Sequence, residues 1–77
     1  MIDKNKLNTE IKIKFGNRLL KGTIIGIEEN FLTCHTVHVE FYDGEFGVDL
    51  KLSFVKMRDD DKYRCNLNPS QIYLIED

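Results

Sequence analysis

Apolar and polar residues alternate from Ile11 to Phe15, with Ile11, Ile13 and Phe15 on one parity and Lys12 and Lys14 on the other. A period of two places one set against a core and the other in water, so the stretch predicts a half-buried β-strand. Gly16-Asn17 follows as a turn signal. The next run, Arg18 to Glu29, is also strand-like but changes phase: Leu20 and Ile24 share one parity, Ile25 and Ile27 the other. A straight strand cannot turn both sets inward. Gly22 and Gly26 flank the shift, and glycine inside a strand marks a bulge or sharp bend. The prediction is one strand that bends and serves both halves of a small barrel, ending in a polar loop at Glu28-Glu29-Asn30.

Asp43-Gly44 is a preferred pair for a two-residue hairpin turn. With that turn, Phe41 faces Phe46, Val39 faces Val48, Val37 faces Leu50 and His35 faces Leu52. Glu40, His38 and Thr36 then lie outside, against Gly47, Asp49 and Lys51. A second parity change, from Phe54 to Val55 and Met57, predicts another bend. Asp59-Asp60-Asp61 reads as a turn tip. Tyr63, Cys65 and Leu67 alternate as a further strand, Asn68 to Gln71 as one tight helical turn around Pro69, and Ile72 to Ile75 as a closing strand. The sum is all-β: a small SH3-like antiparallel barrel of five or six short strands. Residues 1–9 are expected to form a flexible arm, with Leu7 as its anchor, and residues 10–77 a single domain.

At 77 residues there is room for one domain. A core of this size supports a net stability of only ~3–5 kcal/mol. The expected setting is cytoplasmic. No apolar run is long enough to span a bilayer, the N-terminal residues lack the apolar stretch of a signal peptide, and two cysteines make no disulfide framework. The abundance of Lys, Asn, Ile and Asp fits an AT-rich genome. The net charge of −2 hides an uneven distribution. Residues 1–25 hold six bases against two acids, residues 26–50 hold six acids and no base, and the rest balance. A duplex-DNA binder draws its affinity from a basic excess, which the whole chain lacks. A local basic edge at Lys12, Lys14, Arg18 and Lys21 remains.

Asn17, Arg18, Leu20, Lys21, Gly22, Thr23, Ile24, Gly26, Ile27 and Glu28 resemble, in that order, the first motif of Sm-like proteins, with the turn written Gly-Asn. Lys21-Gly22 between hydrophobics resembles the KOW-type barrels of ribosomal and transcription factors, with Gly26 one place late. Both resemblances imply a small barrel that contacts nucleic acid. The Sm-like resemblance also implies a ring and an N-terminal helix, and an Arg-Gly or Lys-Gly pair before the last strand; this chain carries Asn68-Pro69 there. "VEFYDGE" resembles Tudor-type barrels, which imply an aromatic cage, here from Tyr42, Tyr63, Tyr73 and Phe31.

Cys34, His35 and His38 with Cys65 are zinc-ligand types, but alternation sends His35 to the opposite face from Cys34 and His38, so no metal is expected. Three consecutive aspartates lack the alternate spacing of a calcium loop. No nucleophile has a recognisable base beside it in sequence, so neither catalysis nor a cofactor is expected. The reading is a non-catalytic binding module. Its first form is a protein-interaction factor, accessory or regulatory, of bacterial or phage origin, presenting the acidic segment Glu40 to Asp49. The alternative contacts RNA or single-stranded DNA. The candidate binding residues are Lys12, Lys14, Arg18, Lys21, Phe31, Tyr42 and Tyr73. A barrel that does not close fully would leave the edges of the first and last strands as a route to a homo-oligomer.

Overall fold

The computed structural model describes residues 2–30 and 34–76. Six strands follow one another: β1 (Glu10–Phe15), β2 (Arg18–Asn30), β3 (Cys34–Asp43), β4 (Val48–Met57), β5 (Arg64–Cys65) and β6 (Ile72–Ile75). Each pairs antiparallel with the next, and β1 also pairs with β6, so the sheet closes into a barrel. Among the described residues, helix is confined to a 3-10 turn at Lys4–Lys6. The architecture is consistent with an SH3-like or Sm-like barrel. Because β1 and β6 bond each other, the first and last strands offer no free edge between them, which overturns the expected route to an oligomer.

β2 bends where its parity shifts. Its register against β3 slips between Ile24 and Gly26, leaving Ile25 as the extra residue. The bulge turns Ile24 into the core and packs Ile27 against it, while Ile25 stays exposed. Gly22 has a different task. A Cβ there would stand 2.5 Å from Val39 Cγ1 and 3.1 Å from the Glu40 carbonyl oxygen. Only a residue without a side chain lets β2 and β3 approach this closely. The arm bonds to the same region. Asn8 N–H donates to the Ile24 carbonyl at 2.8 Å, and Ile24 N–H donates to the Thr9 carbonyl at 3.0 Å. Its buried anchor is Ile2 rather than Leu7, and Ile2 N–H donates to the hydroxyl of the buried Tyr63 at 3.0 Å.

The β3–β4 hairpin differs from the two-residue turn. Asp43 pairs with Val48, Phe41 with Leu50, Val39 with Leu52 and Val37 with Phe54, around a four-residue loop. Two features select the longer loop. Gly47 takes φ +66°, and its N–H donates to the Asp43 carbonyl at 2.7 Å. The Asp43 carboxylate is buried and accepts the Glu45 N–H at 3.1 Å and Arg18 Nη2 at 2.6 Å. A two-residue turn would leave that carboxylate without its loop partner. The shift is even, so Val37, Val39 and Phe41 still face inward. β4 runs to Met57 without a slip against β3, so the second predicted bend is absent there. β5 is only two residues long, and Leu67, read as its third inward residue, is 80% exposed. Asn68 closes the expected tight turn, its carbonyl accepting from Gln71 and Ile72 N–H.

Two aspartates tie loops to strands. Burial alone would push the Asp43 carboxyl up, but Arg18 and the N–H groups of Glu45 and Phe46 hold it below its ordinary value. Asp60 accepts Arg64 Nε at 2.6 Å, and chiefly this bond lowers it from 3.8 to about 2. A carboxyl depressed in the folded state stabilises the fold above its unfolded value, and that contribution disappears as pH falls through the folded value. Stability should therefore hold level down to roughly pH 5 and fall between about pH 4 and 2, as followed by urea denaturation at stepped pH. Asp60→Asn should lower stability at neutral pH and flatten that acid limb; an unchanged limb would show that Asp60 does not couple to folding. Gly22→Ala should cost about 1–3 kcal/mol by overpacking against Val39, read as a lower urea midpoint with unchanged slope.

Candidate functional site

The alternation that buries Ile13 turns Lys12 and Lys14 outward on β1. Register then assembles a face across three strands. Lys12 lies opposite Lys21 on β2 and Ile75 on β6, and Lys14 opposite Leu19 on β2 and Tyr73 on β6. Residues directly opposite in a ladder share a face, with Cβ atoms ~5 Å apart. Lys12 and Lys14 are separated by ~7 Å along the strand. None of the three lysines has a carboxylate partner among the described residues, whereas Arg18, Lys51, Lys62 and Arg64 each have one. Leu19, 58% exposed, adds an apolar spot between them.

Tyr73 is the aromatic member. Arg64 pairs with it across β5–β6, with its guanidinium carbon 5.9 Å from the ring centroid, and Lys62 Nζ lies at 5.6 Å. Arg64 is fixed by Asp60 and donates to the Pro69 carbonyl at 3.0 Å. On one side of the ring a groove is lined by Lys14, Gly16, Asn17, Ser70, Gln71 and Tyr73, which sets amide and hydroxyl groups beside the cation. The face thus offers cations, hydrogen-bonding side chains and an aromatic ring: the complement of an anionic polymer with planar groups.

Of the sequence-derived candidates, Lys12, Lys14, Lys21 and Tyr73 come together. Arg18 stands apart. It shares the inward parity of Leu20 and Ile24, lies 5.5 Å over the Phe15 ring, and bonds Asp43 and Glu45. It locks the first turn to the β3–β4 hairpin. Tyr42 is on that hairpin opposite Asp49, 61% exposed, away from Tyr73; Phe46 and Val48, also exposed, lie in the loop and at the start of β4. Phe31 lies outside the described residues. Lys62 and Arg64 were missed as neighbours of Tyr73, although their alternation with the inward Tyr63 and Cys65 carried the signal.

A second group is visible only in three dimensions. His38 Nδ1 lies 2.7 Å from Ser53 Oγ, and Nε2 lies 2.6 Å from Glu28 Oε2. The three belong to β3, β4 and β2, and their bonds clamp the outer sheet across three strands. Cys65 is buried in the core. Among the described residues, no three of His, Cys, Asp and Glu converge as metal ligands, and no helix is long and apolar enough to cross a membrane. Compared with family models, with curated proteins and with solved structures, the chain matches none.

Proposed function

We propose that the protein is a non-catalytic binding module that holds RNA or single-stranded DNA on the outer face of β1, β2 and β6. The observation that carries this reading is the convergence of Lys12, Lys14 and Lys21, without carboxylate partners among the described residues, beside Tyr73. Unpaired cations on one rigid sheet repel one another, and a polyanion relieves that repulsion while releasing its own counterions. The strands fix the backbone positions of the lysines, and their flexible stems let the ammonium groups adjust to the phosphates. The groove at Asn17, Ser70 and Gln71 supplies neutral hydrogen-bond partners for sugar or base edges.

A second reading has its own observation. The β3–β4 hairpin exposes Tyr42 at the end of β3, Phe46 in a loop braced by Arg18, and Val48 at the start of β4, with Glu45 and Asp49 nearby. Exposed aromatics on a rigid support are the usual anchors of a protein partner. This is the interaction-module form of the same barrel, in which the module acts as an accessory or regulatory factor.

Fluorescence anisotropy with short labelled RNA and single-stranded DNA, across a salt series, separates the two readings. Three lysines predict a slope of log K against log salt of roughly −2. Lys12→Glu with Lys14→Glu should abolish binding, and Tyr73→Leu should weaken it by about 1–3 kcal/mol if a base stacks there. Tyr42→Ser with Phe46→Ser should leave oligonucleotide binding unchanged. Absence of binding at low salt to either polymer would remove the nucleic-acid reading and leave the hairpin as the working surface.

A further inference from the structure

The barrel is closed unevenly. β5 covers β4 only at Phe54 and Val55. The stretch from Val48 to Ser53 has β3 on one side and, among the described residues, no strand on the other. Half of its peptide groups therefore point away from β3 with no ladder to join. An edge of this length is a template for a further strand. Side chains along it alternate: Val48, Leu50 and Leu52 on the inner parity, Asp49 and Lys51 on the outer, all three of Val48, Asp49 and Lys51 being exposed.

We propose that two copies of the chain pair through this edge, β4 against β4, antiparallel, with the two-fold axis at Leu50. The charge pattern selects the occupant and the register. An acid and a base two residues apart on one face are self-complementary about the residue between them. With the axis at Leu50, Asp49 of each copy faces Lys51 of the other, Leu50 faces its own counterpart, and Val48 faces Leu52. An axis at Asp49 sets two carboxylates opposite each other, and an axis at Lys51 sets two ammonium groups opposite each other. Registers shifted by one residue turn the inner parity of one copy onto the outer face of its neighbour. The existing contact of Lys51, to Glu40 at 3.8 Å, is long and solvent-exposed, so the ammonium group remains available. Joining the edges also covers Val48 and the half-buried Leu50 and Leu52 where the barrel gapes. The basic face lies on β1, β2 and β6 and stays free, so this inference stands apart from the nucleic-acid reading.

Sedimentation equilibrium of the full chain over a wide concentration range tests it, with circular dichroism and urea unfolding to establish that each variant folds. The expected species is a dimer. Lys51→Glu places like charges at both cross-strand contacts and should raise the dimer dissociation constant about tenfold. Adding the exchange instead, Asp49→Lys with Lys51→Asp, should restore dimerisation to near the parent value. A folded protein that sediments as a single chain at every concentration overturns the proposal. So does a dimer equally stable in all three proteins, or an assembly well above two chains.

Discussion

The bulge at Ile25 is the constraint on which the remaining structure depends. Six short strands close into a barrel only if the longest of them bends, because one straight strand cannot present a single inner face to both halves. β2 bends by inserting one residue, and three consequences follow. Ile24 and Ile27 both reach the core. β2 can pair with β1 along its first half and with β3 from Gly22 to its end at Asn30. β1 is then free to pair with β6 on its other side, which seals the barrel and brings Tyr73 beside Lys14. The basic face is thus a product of closure and not of the lysines' spacing alone.

The bend was legible in the sequence because two independent signals agree: a parity change and glycines on either side of it. The inner faces of β1 and β3 were legible for the same reason. The hairpin register was not. Asp43-Gly44 carries the chemistry of a two-residue turn, and the pattern of apolar pairs agrees with it. A shift by an even number of residues keeps Val37, Val39, Phe41, Leu50 and Leu52 on the inner parity, and of the residues expected there only the outermost, Phe46, is lost, passing into the loop. What decides is Asp43, whose carboxylate serves the loop's N–H groups and Arg18 together. Its burial requires those partners, since an unpaired carboxylate in the barrel wall costs far more than a longer loop.

Arg18 shows how a residue's type can mislead where its position informs. Grouped by charge, it belongs with Lys12, Lys14 and Lys21. Grouped by parity, it belongs with Leu20, Gly22 and Ile24, which face inward. A guanidinium on that side, at the barrel's end, must find a carboxylate or leave a charge half-buried. Asp43 and Glu45 meet the requirement. The Glu28–His38–Ser53 clamp could not be found in this way, because its members come from three strands whose register is set only after the bulge and the loop are known.

The net charge of −2 therefore says little about the surface a partner meets. Acids concentrate from Glu28 to Asp49, on the second half of β2 and the β3–β4 hairpin, while Lys12, Lys14 and Lys21 collect on β1 and the first half of β2. Antiparallel order carries the two groups to different parts of one small barrel. At physiological salt, a field from one part is largely screened within ~8 Å. A polyanion at Lys12, Lys14 and Lys21 would then respond mainly to those cations and little to acids on the far strands. Two surfaces of opposite charge can coexist on a domain this small because antiparallel order sets them on different strands and solvent screens them from each other.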